Sequence, residues 1–181
     1  KTCELSKQSS DYMAELLAEW IIGEPLPSYQ SEFMERGQEM EDEAIKAYEF
    51  LRDVETQPGG FWTTDDGLIG CSPDRLVGDD GVLEIKCPSA KVHVGYMLTG
   101  QLEADYKPQF QGEIWVPGRQ WVDVVSYHPQ LPSVVIRVER DDGYVFKMTN
   151  AIRQFVEKLM AAREDLEKRF GPFTRPVVNE E

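Results

Sequence analysis

Apolar residues recur three or four positions apart in several parts of the chain, a spacing that places them on one face of a helix. This pattern predicts five helices, over about residues 11–22, 31–54, 91–98, 106–116 and 149–170. The buried face predicted for the second helix consists of Phe33, Gly37, Met40, Ala44, Tyr48 and Leu51. Gly23 follows the first helix and Gly171 follows the last, and glycine commonly ends a helix.

Short stretches rich in β-branched and aromatic residues lie between these helices and predict strands. Three strands are expected as a meander after the second helix, and two more are expected after residue 120. Their expected positions are residues 61–63, 68–77, 82–87, 121–127 and 134–138. Strands and helices in this order predict an α/β fold, with a mixed central β-sheet flanked by helices.

The length of the chain, 181 residues, suits one domain and is short for two. We therefore expect a single domain over residues 1–181, with loosely ordered tails at 1–10 and 171–181. No apolar run approaches the roughly 18 residues that a membrane span requires. Three cysteines without paired spacing argue against a disulfide framework and favour reduced thiols in a cytoplasmic protein.

Chemically reactive side chains concentrate in one predicted hairpin, between Ser72 and Cys87. Side chains alternate between the two faces of a strand. On the second strand of the hairpin, Glu84 and Lys86 therefore share one face, and the other face is apolar. A carboxylate and an ammonium group placed in this way indicate a functional face.

The direction of the Asp74 side chain depends on the length of the turn. A two-residue turn would send its carboxylate to the apolar face. A three-residue turn over 79–81, with Gly81 in the left-handed conformation, would instead place Asp74 opposite Lys86, on the face of Glu84. Because only glycine adopts that conformation without strain, we predict the three-residue turn.

Two carboxylates and a lysine on one face are suited to a divalent-cation site. The carboxylates of Asp74 and Glu84 would supply hard oxygen ligands, and Lys86 would lie near the attacking water. The alternative is an ordinary surface ion pair between Glu84 and Lys86 beside a turn aspartate, because such cross-strand pairs are common.

The whole stretch from Gly70 to Pro88 resembles a known nuclease motif. Pro73-Asp74 followed by Glu84-Ile85-Lys86 resembles the PD-(D/E)XK motif. The residues around it are similar to the phage lambda exonuclease and YqaJ-type viral recombinase branch of those nucleases. The resemblance covers about residues 31–170 and implies a restriction-endonuclease-like core.

Two further segments resemble motifs of the same family. Residues 37–44 are similar to its glycine-to-alanine helix motif, which would place Glu41 at an acidic active-site position. Residues 106–111 are similar to its glutamine motif, whose second glutamine, Gln111, would lie near the scissile phosphate. Judged by pattern alone, Glu41 lies at the border of the buried stripe of its helix, where a glutamate is most often solvated. Solvent exposure is likewise the simplest interpretation of both Gln109 and Gln111.

The resemblance implies two-metal phosphodiester hydrolysis. Asp74, Glu84 and the Ile85 carbonyl would hold one Mg²⁺ or Mn²⁺ ion, and Asp74 would bridge to a second ion with help from Glu41. Lys86 would position or deprotonate the attacking water if its pKa is lowered. If Lys86 stays charged, it would stabilise the phosphate electrostatically.

Three other positions concern DNA contact. Gln111 would orient the attacking water, and Ser72 resembles a family position that contacts the terminal phosphate of the DNA. Arg75 stands where the family commonly has glycine, so it would either clash with the DNA backbone or contact it. The family's N-terminal arginine motif has no counterpart, since residues 1–10 contain no arginine.

The function that the resemblance implies is a metal-dependent exonuclease, degrading double-stranded DNA from 5′ to 3′ in phage-type recombination. It also implies a homotrimeric ring around the DNA end, a single-strand annealing protein as partner, and action in the cytoplasm of a bacterial host. The net charge of −14 argues against strong non-specific DNA binding but allows metal-dependent engagement. An endonuclease and a catalytically silent binding module are the alternatives on the same core.

Overall fold

The computed structural model describes residues 7–27 and 32–173, in which two helices precede a run of five short strands and the later helices flank two longer strands. The helices are α1 (Lys7–Ile22), α2 (Glu32–Arg52), α3 (Ala90–Thr99), α4 (Lys107–Trp115) and α5 (Asp142–Phe170), with one 3-10 turn at Ala104–Tyr106. The strands are β1 (Thr56–Pro58), β2 (Trp62–Thr63), β3 (Gly70–Cys71), β4 (Arg75–Val77), β5 (Gly81–Lys86), β6 (Trp121–His128) and β7 (Leu131–Glu139). In the described part of the chain, no helix is long and apolar enough to cross a membrane.

The chain divides into two compact units. One unit is Gln30–Phe146, which contains α2, all the strands, α3, α4 and the start of α5. The other unit combines Lys1–Tyr29 with Lys147–Glu181. In this second unit the guanidinium of Arg163 lies 3.8 Å from the centre of the Trp20 ring, a cation–π contact between α5 and α1. The single-domain expectation stays a prediction.

A five-stranded sheet forms the centre of the larger unit, in the order β1-β4-β5-β6-β7. The pair β5–β6 is parallel and the other pairs are antiparallel, so the sheet is mixed. Helix α4 packs against one face through Phe110 and Ile114, and α2 packs against the other face through Tyr48. The predicted α/β fold with a mixed central sheet flanked by helices is therefore confirmed.

The predicted three-strand meander was wrong in its pairing. Strands β2 and β3 pair only with each other, as a separate two-stranded sheet. The neighbour of β4 in the main sheet is instead β1, which the sequence did not predict. Its three residues end in Pro58, and proline is tolerated there because β1 lies at the edge of the sheet.

Two helices start earlier than predicted. Helix α1 begins at Lys7, so residues 7–10 are helical rather than a loose tail, and residues 1–6 and 174–181 lie outside the described residues. Helix α5 begins at Asp142 because Asp141 caps it: the Asp141 carboxylate accepts a hydrogen bond from the Tyr144 backbone N–H at 2.9 Å. Gly143 in the first turn has a low helix propensity and interrupts the spacing of apolar residues, so the sequence pattern did not indicate this start.

The buried face of α2 is shorter than predicted. Ala44 and Tyr48 are fully buried, but Leu51 is 54% exposed and is not part of the core. The Tyr48 hydroxyl donates a hydrogen bond of 2.9 Å to the buried carboxylate of Asp123 on β6. The side chains at positions 33–39, which include Phe33, lie outside the described set.

The β4–β5 turn has three residues, as predicted, but they are 78–80 rather than 79–81. Gly78, with a φ of 54°, takes the left-handed conformation that was expected at Gly81. Gly81 is needed for a different reason. A Cβ atom at this position would overlap the ring of Trp121, on the neighbouring strand β6.

We predict that Gly81→Ala destabilises the protein by about 1–3 kcal/mol, because the added methyl group overpacks against Trp121. The Trp121 ring cannot easily yield, since the Arg137 guanidinium stacks 3.6 Å from its centre. Thermal denaturation measures the loss. Gly95→Ala in α3, where a Cβ meets nothing within 4 Å, is the control and should be neutral or stabilising. Equal stability of the two variants would contradict the packing role of Gly81.

Candidate active site

The register of the β4–β5 hairpin brings Asp74 and Glu84 to the same face. Arg75 pairs with Leu83, and continuing that register sets Asp74 opposite Glu84, not opposite Lys86 as predicted. Asp74 extends the sheet just before β4, since its carbonyl accepts a hydrogen bond of 3.1 Å from Gly59. Its carboxylate accepts a 2.6 Å hydrogen bond from the backbone N–H of Ile85. The two acids therefore meet as neighbours across the hairpin.

Lys86 and Gln109 hold the Glu84 carboxylate. One oxygen of Glu84 accepts hydrogen bonds from Lys86 Nζ at 2.8 Å and from Gln109 Nε2 at 2.6 Å. Lys86 also donates to the Gln109 amide oxygen at 3.3 Å, and its ammonium lies 5.0 Å from the centre of the Tyr106 ring. The glutamine that reaches the acids is thus the first one of the 106–111 segment.

Gln111, in contrast, is not brought to this cluster. It is 1% exposed, its amide nitrogen donates to the Glu139 carbonyl at 2.8 Å, and its amide oxygen accepts from the Asp141 N–H at 2.8 Å. Both of its polar atoms are engaged at the junction between β7 and α5. Gln111 is therefore held away from the acids, and Gln109 is the glutamine of this segment that contacts them.

A further acid, Glu113, joins the cluster without having been predicted. It is 5% exposed, and one of its oxygens accepts a hydrogen bond of 2.8 Å from Gln109 Nε2. Glu113 lies one helical turn after Gln109 on α4, which accounts for their contact. Its spacing from Gln109 was the available signal, but the sequence favours Gln109 as solvated and gives no reason to bury a glutamate.

The other three predicted site residues, Glu41, Ser72 and Arg75, differ in their burial and in their partners. Glu41 on α2 is half-buried, and its charge acts on the carboxyl group of Asp74. Ser72 is exposed, with its hydroxyl 3.4 Å from the Gly60 carbonyl. Arg75 is directed elsewhere: its guanidinium donates two 2.9 Å hydrogen bonds to Thr56 of β1.

The crowding of acids changes their protonation. Burial, followed by the charge on Glu84, raises the pKa of Asp74 to about 7. Burial and the same charge raise the pKa of Glu113 to about 8. Burial acts to lower the pKa of Lys86, but the attraction of Glu84 outweighs it, so that the pKa of Lys86 is raised. Of the two roles considered for Lys86, the charged, electrostatic one is favoured.

One oxygen each of Asp74, Glu84 and Glu113 accepts hydrogen bonds from within the protein. Among the side chains that the structure describes, no three of His, Cys, Asp or Glu are arranged to hold a metal ion together. The reason is local, since Lys86 and Gln109 occupy an oxygen of Glu84, and the Ile85 N–H occupies an oxygen of Asp74. Beside Lys86 a cleft of about 420 Å³ opens between Cys87, Tyr96 and Tyr106.

The chain matches the family model described as YqaJ-like viral recombinase domain over residues 1–120. No protein of curated function matches it. Among solved structures, the alkaline exonuclease LHK-Exo from Laribacter hongkongensis is similar, with a TM-score of 0.83, 32% identity, and 92% of this chain and 87% of that chain covered.

Two other solved structures share the fold. LHK-Exo in complex with dAMP has a TM-score of 0.82 and 34% identity, with coverage of 93% of this chain and 87% of that one. A phage-related exonuclease from Haemophilus somnus 129PT has a TM-score of 0.65 at 15% identity, with 92% and 85% covered, which supports the fold alone. The similarity to LHK-Exo confirms the restriction-endonuclease-like fold.

We predict that Gln111→Ala lowers the free energy of unfolding by about 2 kcal/mol or more, because it removes a buried side chain and leaves two part-buried backbone groups without these partners. Gln154→Ala is the control, because it removes an exposed glutamine of α5 and should leave stability nearly unchanged. Urea denaturation of both variants measures the difference. If Gln111→Ala were as stable as Gln154→Ala, the structural role of Gln111 would be wrong.

The raised pKa of Asp74 predicts a pH dependence of stability in the metal-free protein. Because the folded state binds more protons than the unfolded state between about pH 4 and 7, the free energy of unfolding should fall as pH rises through this window. Glu113, with a pKa of about 8, extends the window upward. Thermal denaturation with a chelator, from pH 5.5 to about 8, measures the slope.

Asp74→Asn should reduce this slope, since it removes one of the two titrating groups at little change in shape. Asp66→Asn is the control: hydrogen bonds from Thr64 and Leu68 lower the pKa of Asp66, so it titrates below the window and should leave the slope intact. A melting temperature that stays constant or rises between pH 5.5 and 8 in the wild type would contradict the assignment.

Proposed function

We propose that this chain, which belongs to the family of YqaJ-like viral recombinase domains, is a metal-dependent exonuclease that degrades double-stranded DNA from its ends. The observation that carries the proposal is the meeting of Asp74, Glu84 and Lys86 with Gln109 on one face of the sheet. The alkaline exonuclease LHK-Exo, which shares this fold, supports the same activity.

The donor set fits a hard divalent cation. Two carboxylates lie side by side across the hairpin. Burial, together with the negative charge on Glu84, raises the pKa of Asp74, and a bound cation would relieve the repulsion between the two carboxylates. We assign Asp74, Glu84 and the Ile85 carbonyl to one Mg²⁺ or Mn²⁺ ion, and Asp74 with Glu41 to a second. Such ions supply a water of lowered pKa and offset charge on the phosphate and the leaving oxygen.

The side chains around the acids then have separate tasks. The oxygen of a water bonds to phosphorus and gives up its proton to solvent, the bond from phosphorus to the 3′ oxygen breaks, and that oxygen takes a proton from solvent to become a hydroxyl. When attack proceeds from the 5′ end, the product released is a 5′-mononucleotide. Lys86, whose pKa is raised, stays protonated and stabilises the negative charge on the phosphate. Gln109, exposed at the mouth of the site, holds the attacking water or a phosphate oxygen through its amide.

Substrate contacts outside the acids belong to the same proposal. The exposed Ser72 hydroxyl is assigned to the terminal phosphate of the DNA. Arg75 is left out, because its guanidinium is committed to Thr56 and neighbouring residues of a strand face opposite sides. The 5′-to-3′ direction, the homotrimeric ring, the single-strand annealing partner and the bacterial cytoplasm rest on the family resemblance, and light scattering with and without DNA tests the trimer.

We predict that Glu84→Gln and Lys86→Ala each lower exonuclease activity by roughly 10²-fold or more, since the first removes a charged ligand of the cation and the second removes the positive charge beside the reacting phosphate. The assay measures release of mononucleotides from linear duplex DNA with Mg²⁺. Lys91→Ala, which removes an exposed lysine at the start of α3, is the matched control for charge and should keep wild-type activity. Full activity of either site variant would refute its assigned role.

Covalently closed circular DNA separates an exonuclease from an endonuclease, because only the former requires an end. We expect circles to remain intact while linear DNA of the same sequence is degraded. Duplexes labelled at one 5′ end or one 3′ end then report the direction of degradation. Cleavage of circles by the wild type but not by Glu84→Gln would identify an endonuclease that uses the same site.

A further inference from the structure

Glu113 has a feature that its position in the core does not explain. The residue is only 5% exposed to solvent. One oxygen, Oε1, accepts a hydrogen bond from Gln109, but the other, Oε2, is buried and has no hydrogen-bond partner. In the described part of the chain, no other buried side-chain nitrogen or oxygen lacks one. Buried polar atoms are normally paired, so an unpaired carboxylate oxygen indicates an absent partner.

The surroundings of Glu113 show what kind of partner would fit. A single amide nitrogen, Gln109 Nε2, lies 2.8 Å from Glu113 Oε1 and 2.6 Å from Glu84 Oε1. Glu113 therefore faces the same space as a carboxylate that we assign to a cation. The charges of Glu84, Lys86 and Asp74 in turn act on Glu113.

The balance of charge favours a cation over a hydrogen-bond donor. Three acids meet here, since Asp74 lies opposite Glu84 across the hairpin and the Gln109 amide joins Glu84 to Glu113, while Lys86 pairs with one of them, Glu84. The ammonium of Lys86 is already bound to Glu84 at 2.8 Å. A divalent ion would offset more of the excess than a neutral donor, and carboxylate oxygens are its preferred ligands.

We propose that Glu113 is an additional carboxylate ligand of the divalent-cation site, binding the ion through Oε2. The inference rests on the proposed function, because it adds a ligand to the site formed by Asp74 and Glu84. In this arrangement the hairpin supplies Asp74 and Glu84, and helix α4 adds Gln109 and a third acid, Glu113. A third anionic ligand from a helix makes the site more selective for doubly charged ions.

Mn²⁺ binding tests the proposal without depending on catalysis. The metal-stripped protein is titrated with Mn²⁺ by calorimetry, and Glu113→Gln is compared with the wild type. The glutamine keeps the volume of the side chain and an oxygen that can accept the hydrogen bond from Gln109, so that the loss is confined to the charged ligand. We expect the Mn²⁺ dissociation constant to rise at least about tenfold.

Two further variants control the comparison. Glu157→Gln removes an exposed carboxylate from α5 and should leave the dissociation constant unchanged, which excludes an effect of net charge. Glu84→Gln tests the site itself and should weaken binding as well. Melting in the presence of chelator reports whether each variant is folded, and Glu113→Asp, which withdraws the carboxylate by one methylene, serves as a second test and should also bind Mn²⁺ more weakly.

The outcomes separate the two proposals. Weaker binding by both Glu113→Gln and Glu84→Gln supports the inference. If Glu84→Gln weakens binding while Glu113→Gln and Glu113→Asp stay within twofold of the wild type, the inference is overturned and the cation site stands. If none of the variants weakens binding, or the wild type binds no Mn²⁺, both proposals fail.

Discussion

The register of the β4–β5 hairpin is the constraint on which the site depends. Because side chains alternate along a strand, a loop of three residues keeps Asp74 on the face of Glu84, whereas a slip of one residue would turn it to the opposite face. The opposite face carries the apolar cluster of Tyr48, Val77, Leu83 and Val125, and Asp74 on that side would be separated from Glu84. The hydrophobic pattern that stabilises the sheet therefore also fixes where the acids meet.

This dependence explains which parts of the site the sequence could predict. The alternation along β5 and the odd length of the turn follow from local rules, so the shared face of Asp74 and Glu84 was accessible. The identity of the left-handed glycine was not, because Gly81 is required by a contact with Trp121, forty positions along the chain. The left-handed residue of the turn is Gly78 instead.

The two glutamines of α4 illustrate the same limit. Residues two apart on a helix point about 200° away from each other, so only one of Gln109 and Gln111 can face the acids. Sequence similarity located the segment but not the orientation of the helix, which is set by backbone groups at Glu139 and Asp141. Glu113 escaped notice for a related reason, since a glutamate gives no local sign that tertiary packing will bury it.

The anchoring of α4 by Gln111 has a consequence for the interpretation of sequence variation. The helix that presents Gln109 to the acids is held from its other side by a residue that touches neither the acids nor the cleft. In a mutational scan scored by activity alone, position 111 would rank with the residues that contact substrate. A parallel measure of protein abundance would separate the two, and the same separation applies to any natural variant found at this position.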